Sequence, residues 1–260
     1  MFNPLQLPLE KGGEKSKKIA TCTQIRYDNT MTNDHTKQFL ALFERWERYL
    51  NVRFGEGNLL DHIRRFWDSD HHICKIHEIS ENDIKNLYSL RNVCAHTPSF
   101  LSIRTDATTI IEKLTSIYCR KAVEIATPGK NTFTATITDP ISTVISTMAD
   151  HSYNYVPVIN QDTLVGLFTL KTVLHIKAKA IPTDKKQTLE TIKPYLTDTL
   201  YSDHYLCVPN TAEFYEVYNL FNEYIDQGKR LGVVIITPHG KPSATIEGLI
   251  TVADLHKGLP

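Results

Sequence analysis

The sequence predicts an α + α/β chain, an all-helical N-terminal part followed by a mixed part built from two like units. Three observations predict it. Apolar residues from His35 to about Ala126 recur at helical spacing; the texture changes after Thr127-Pro128-Gly129 to short β-branched runs alternating with short helices; and one seven-residue string in the second part occurs twice. A length of 260 residues fits one to two domains, and 41% hydrophobic with 22% charged residues can supply a core.

Residues 1–33 are polar, carry Pro4, Pro8 and Gly12-Gly13, show no 3.6-residue period, and read as a loose arm. The helical domain spans 34–127 and accommodates four helices. Phe39, Leu40, Leu42, Phe43, Trp46 and Leu50 mark the first, and Leu59, Leu60, Ile63 and Phe66 the second. Ser80-Glu81-Asn82-Asp83 is a cap-like start for the third, which should stop near His96 because Pro98 disfavours α geometry at Thr97. The fourth begins near Thr105-Asp106 and carries Ile110, Ile111, Leu114, Ile117 and Tyr118.

Beyond Pro128 the repeat fixes the architecture. Gly166-Leu167-Phe168-Thr169-Leu170-Lys171-Thr172 recurs 82 residues later as Gly248-Leu249-Ile250-Thr251-Val252-Ala253-Asp254. Each copy follows an apolar strand, Tyr155 to Ile159 or Gly232 to Ile236, and each strand follows a helix, so helix, strand, turn, strand, helix occurs twice. The first repeat covers 128–180 and the second 190–260. Lys177 to Lys193 reads as a lysine-rich polar connector.

Twenty-nine basic residues balance 29 acidic ones, so the chain lacks the footprint of a general nucleic-acid or membrane binder, and any such contact must be local. Five cysteines without a CxxC pair argue against a disulfide framework or a zinc knuckle and fit a reducing, cytoplasmic setting. The longest apolar run is far short of the roughly 18 residues that a membrane span needs. Asp70 to His77 holds three histidines and Cys74 but no second well-spaced pair, so it reads as a polar segment between helices and no metal is expected. Phe214, Tyr215, Tyr218, Phe221 and Tyr224 read as a mixed core and interface helix, not a platform for bases. No GxSxG, P-loop or HExxH string is present.

The duplicated string resembles the signature of the cystathionine-β-synthase (CBS) domain, a glycine, an apolar pair, Thr or Ser, two residues and then Asp. The resemblance implies a pair of βαββα repeats with an adenine nucleotide in the cleft between them as a regulatory ligand. Gly248, Thr251 and Asp254 match in the second copy; the first keeps Gly166 and Thr169 but has Thr172 where the family has its acidic residue. A hydroxyl and free N–H groups where a strand opens a helix suit a phosphate. A carboxylate one turn later suits ribose hydroxyls. The resemblance therefore implies phosphate contact at Thr251 and ribose contact at Asp254, one good half-site and one degraded, with the base against Tyr155, Val156, Gly232 and Val233. The alternative is a pair that binds nothing and serves as a dimerising scaffold.

Arg91-Asn92-Val93-Cys94-Ala95-His96, an R-x4-H string at the end of the third helix, resembles the HEPN superfamily of four-helix domains. That resemblance implies a HEPN-like bundle and a metal-independent endoribonuclease with catalytic Arg91, Asn92 and His96, acting on RNA as a homodimer in a toxin or stress-defence role. Histidine can move a proton near neutral pH, and arginine's planar fork can take phosphoryl charge. In one ideal helix Arg91 and His96 lie about 140° apart, so a composite site across a dimer axis suits them better. The competing expectation is that Arg91 makes an ordinary ion pair and His96 caps the helix. In that case the chain is a non-enzymatic nucleotide-sensing and dimerisation module.

Overall fold

The computed structural model describes residues 29–96, 105–184, 186–197, 203–243 and 245–260. The arm proposed at 1–33 lies almost wholly outside them. The N-terminal region holds α1 (Asn29–Phe54), α2 (Leu59–Ile76), α3 (Glu81–His96) and α4 (Thr105–Tyr118). Asn58 caps α2 by accepting from the Asp61 N–H at 3.0 Å. Ser80 and Asp83 form a reciprocal box at the start of α3, with N–H to side-chain distances of 2.8 and 3.2 Å. The helix is described as far as His96, and its expected stop before Pro98 lies outside the described residues. One expectation is corrected: Asp70 to Ile76 is the last two turns of α2, not an inter-helix segment. Its Asp70 and Cys74 face the core, which gives the stretch an apolar stripe despite its histidines.

The helices enclose an aromatic core. Trp46 stands edge-on to Phe43 and Phe66, with centroids 5.5 and 5.4 Å away, and Phe66 meets Tyr118 at 5.0 Å.

After α4 come α5 (Ala122–Ile125), β1 (Thr127–Pro128), β2 (Ala135–Thr136), α6 (Ile141–His151), β3 (Tyr155–Asn160), β4 (Thr163–Thr169) and α7 (Leu170–Ala178). A 3-10 turn over Leu189–Ile192 then leads into α8 (Lys193–Thr197). The chain continues as β5 (His204–Pro209), α9 (Phe214–Asp226), β6 (Leu231–Thr237), β7 (Gly248–Thr251) and a closing 3-10 segment, Val252–Lys257. β3 pairs parallel to β2 and antiparallel to β4; β6 pairs parallel to β5 and antiparallel to β7. The duplicated string thus occupies the same place in two like sheets, the antiparallel strand that runs into the final helix of its repeat.

Leu164 and Leu167 on β4 pack against Val233 and Ile235 on β6 and Leu249 on β7, so the sheets meet face to face through an apolar seam. The connector is more ordered than its lysines suggest. Leu189, Ile192 and Leu196, spaced three and four apart, are fully buried against α6 and β3 of the first repeat. The strand β1, preceding the first repeat, joins the sheet of the second, where Thr127 opposes Leu249 and Pro128 opposes Gly248.

Candidate functional site

The structure brings some of the nominated nucleotide-binding residues together and separates others. Tyr155 opposes Thr169 across β3 and β4, and Val233 opposes Thr251 across β6 and β7. The two sheets meet where Tyr155 reaches Gly232. A β-carbon on Gly232 would lie 2.8 Å from both the Tyr155 ring and the Asp203 side chain, so glycine is what lets these groups close over β6. Arg230 donates to the Tyr155 hydroxyl at 3.3 Å and approaches Asp203 at 4.0 Å. Tyr155, Thr169, Gly232, Val233 and Thr251 therefore share one end of the inter-sheet seam, rimmed by Arg230 and Asp203. Val156, one residue inward from Tyr155, is fully buried in the core of the first repeat.

Gly166 and Gly248 stand elsewhere. A β-carbon at Gly166 would meet the Leu196 carbonyl oxygen at 2.4 Å, and one at Gly248 would meet the Ala126 β-carbon at 2.7 Å. Both glycines admit a neighbouring segment, α8 in one repeat and the stretch from α5 to β1 in the other. The shared signature here is a packing feature of each sheet.

The two strand-to-helix turns differ in charge. In the first, Thr169 and Thr172 satisfy each other: the Thr172 N–H donates to the Thr169 hydroxyl at 3.1 Å, and the hydroxyls lie 3.1 Å apart. Both are buried. In the second, one Asp254 oxygen accepts from the Thr251 N–H at 2.9 Å and the Thr251 hydroxyl at 2.8 Å, and the other accepts from the Lys257 ammonium at 2.6 Å. Burial works to raise the Asp254 pKa, but these donors outweigh it and hold the carboxyl below the usual carboxylate range. Lys257 is half exposed, so this ion pair can open to solvent without unpacking the core.

In the helical region Arg91 is partly buried and paired with Glu47 on α1 at 3.1 Å, and the Asn92 side-chain oxygen accepts from Arg91 at 3.3 Å. The His96 side chain lies outside the described residues.

Sequence reasoning missed the junction between the two parts. Glu213, the residue before α9, is almost fully buried and takes charge from the helical side. Arg45 of α1 donates to its two oxygens at 3.0 and 3.3 Å, and the Lys121 ammonium donates at 2.9 Å. Arg45 also donates to the Cys119 carbonyl at 2.7 Å, and the Phe214 N–H to the Arg120 carbonyl at 2.7 Å. Tyr215 packs on Tyr49 at 5.6 Å. A partial signal existed in Glu213-x-x-Glu216, a capping-box spacing in which the Glu216 carboxylate accepts from the Glu213 N–H at 2.8 Å. Nothing local marks Arg45 as its partner, 168 residues away.

Among the described residues no helix is long and apolar enough to cross a membrane, and no group of three or more His, Cys, Asp or Glu side chains is placed to hold a metal. No curated protein matches the chain. Among solved structures it is similar to the CBS domain of a bacterial CNNM/CorC family Mg2+ transporter in complex with ATP, at 18% identity over 54% of this chain and 87% of that one, with a TM-score of 0.39. It is similar to a protein with CBS domains from Burkholderia ambifaria, at 22% identity over 53% of this chain and 91% of that one, TM-score 0.39. It is also similar to a hemolysin-like protein containing a CBS domain from Oenococcus oeni, at 14% identity over 57% and 96%, TM-score 0.39. Residues 122–179, from the start of α5 to the end of α7, match the family model of the CBS domain, and the chain carries a CBS domain there.

Proposed function

We propose that the chain is a nucleotide-controlled regulatory protein. In this reading an adenine nucleotide enters the seam between the two repeats, a CBS pair, and the helical bundle is the effector that responds. The observation that carries it is the junction at Glu213: a ligand that shifts α9 acts on α1 through buried ion pairs and not through a slack tether. The base packs on the outer side of Tyr155, whose ring already closes over Gly232. Ribose hydroxyls replace Lys257 on Asp254, and the released ammonium joins Arg230 as a phosphate partner. The Thr251 hydroxyl turns from Asp254 to the phosphate, and the N–H groups that follow it supply further donors.

For the effector we propose a HEPN-type, metal-independent endoribonuclease acting as a homodimer in toxin-like or stress-defence control, in the cytoplasm. Arg91 exchanges Glu47 for the substrate phosphate, with Asn92 beside it. The 2′-oxygen bonds to phosphorus as the bond to the 5′-oxygen breaks, and His96 serves the proton transfer from the 2′-hydroxyl to the leaving oxygen. The products are a 2′,3′-cyclic phosphate and a 5′-hydroxyl. A second reading, a non-enzymatic nucleotide-sensing and dimerisation module, is favoured by one observation, the existing ion pair of Arg91 with Glu47.

Incubating the full chain with single-stranded RNA in EDTA separates the two. Cleavage that is lost in His96→Ala and altered several-fold by AMP, ADP or ATP supports the nuclease; absence of cleavage alongside calorimetric nucleotide binding supports the module. Absence of nucleotide binding overturns both.

A further inference from the structure

The junction encloses a cavity of about 280 Å³ that lies apart from the inter-sheet seam. Its walls are aromatic. Tyr49 and Tyr118 line it from the helical side, Phe214 and Tyr218 from α9, and Gly258 to Pro260 form part of its rim. Gly258 is what lets that tail lie flat, since a β-carbon there would sit 2.3 Å from the Phe214 ring.

Besides the tyrosine hydroxyls, the polar groups lining this space are of two kinds. Arg53 and Asp70 are an ion pair at 2.8 Å, with the Asp70 side chain 4% exposed and the arginine also donating to the Tyr49 hydroxyl. The pair is neutral overall, and Arg53 is the only cation lining the cavity among the described residues. Asn219 and Asn222 are the second kind. Asn219 donates to Glu223 at 2.6 Å, which leaves its carbonyl oxygen to accept. The Asn222 amide has no partner among the described residues and presents both a donor and an acceptor.

We infer that this cavity is a binding site for a neutral, planar heteroaromatic molecule, a nucleobase or nucleoside, held between the aromatic walls and read along its edge by Asn219 and Asn222. Three properties select that class. At about 280 Å³ the volume falls just below the usual range of ligand pockets, about 300–1,000 Å³, which suits one ring system with a compact substituent. Facing aromatic walls favour a flat ring, and paired amides match an edge that alternates donor and acceptor. A phosphate is disfavoured because the one cation is already committed to a buried carboxylate, so an added anion would face Asp70 with no free positive charge to balance it. The occupant would touch α1, α4 and α9 together, bridging the two parts of the chain, and this goes beyond the nucleotide reading of the seam.

Calorimetry of the full chain with adenosine, guanosine, cytidine and uridine, and with their 5′-monophosphates, tests it. At least one nucleoside binds; Asn222→Leu or Tyr218→Ala weakens it tenfold or more, and monophosphate binding at the seam is unaffected by either. In the wild-type protein the bound nucleoside slows hydrogen exchange over 214–226 and not over 231–237, a readout that needs no variant. The proposal is overturned if none of the four nucleosides binds up to its solubility, if neither variant weakens binding tenfold, if exchange over 214–226 is unchanged by a bound nucleoside, or if the variants abolish monophosphate binding as well. Monophosphate binding that persists while no nucleoside binds removes this site and leaves the seam reading standing.

Discussion

Removing the Glu213 carboxylate should loosen the whole molecule. The group is 3% exposed and accepts three charge-assisted bonds, two from Arg45 and one from Lys121, at 2.9 to 3.3 Å. Breaking a buried ion pair by deleting one partner costs about 3–5 kcal/mol when the remaining charge is trapped. Here the cations are not fully trapped, since the Arg45 and Lys121 side chains are 30% and 37% exposed and can turn to water. The expected loss for Glu213→Ala is therefore at the lower end, about 3 kcal/mol, and for Glu213→Gln, which keeps the shape and one acceptor, roughly half of that. At about 2–4 °C per kcal/mol for a chain of this size, Glu213→Ala should melt about 6–12 °C early. Thermal melting checks the singles, and a double-mutant cycle with Arg45→Ala isolates the pair, with an expected coupling of about 1.5–3 kcal/mol. A melting shift under about 1 °C, or coupling near zero, would refute the view that this carboxylate holds the two parts together.

Gly166→Ala places a methyl where the Leu196 carbonyl oxygen is 2.4 Å away, so urea unfolding should show a loss of about 1–3 kcal/mol; unchanged stability would mean α8 does not sit on β4. Burial pushes the Cys74 thiol up to about 11 and the Cys119 thiol up to about 12, the latter also facing Glu213. Native protein at pH 8 should leave both unlabelled by a thiol reagent. Because their folded values are raised, the stability they confer is complete below the ordinary thiol value and drains away as pH rises toward the folded ones, by about 1.4 kcal/mol per pH unit per thiol. Rapid labelling at pH 8 would contradict this. Asp254 has the opposite sign: its folded value is lowered, so its contribution is present above the ordinary carboxylate value of about 3.9 and is lost as pH falls through the folded one. Asp254→Asn should be less stable than wild type at pH 7, with the gap narrowing below about pH 4; a gap that is constant with pH would show that the charge is irrelevant.

Much of this fold is legible in the sequence where short-range chemistry decides it. The stripe from Phe39 to Leu50 and the Ser80 and Asp83 cap are local, and helices form at both, although α1 already includes Asn29 and α2 runs on to Ile76. The duplicated string reveals the two sheets because packing demands the same glycine in each. Composition misleads at the connector: its lysines are conspicuous, while Leu189, Ile192 and Leu196 are only three anchors in a polar field. The candidate site is less legible than the fold. Thr251 and Asp254 carry a motif, yet nothing in it shows that they satisfy each other or that Lys257 folds back onto the second carboxylate oxygen. Asp70 could be read as a metal ligand in sequence because nothing there shows Arg53 beside it. Charge pairs across more than a hundred residues leave no periodicity, which hides Glu213 with Arg45 as well.

The pairing of β1 with β7 sets an order of assembly. Thr127 and Leu249 are contiguous in space, but the ribosome makes them far apart in time, and until the later strand emerges the earlier one has no partner. The first three-stranded sheet, β2 to β4, is complete within some 35 residues of chain and can close early. The second, four-stranded sheet cannot. While it waits, β6, which is buried along its whole length in the finished fold, offers an open backbone edge to any strand nearby. Synthesis arrested between β6 and β7 would therefore yield a nascent chain that self-associates, and a chaperone that shields extended apolar segments should engage it over that interval.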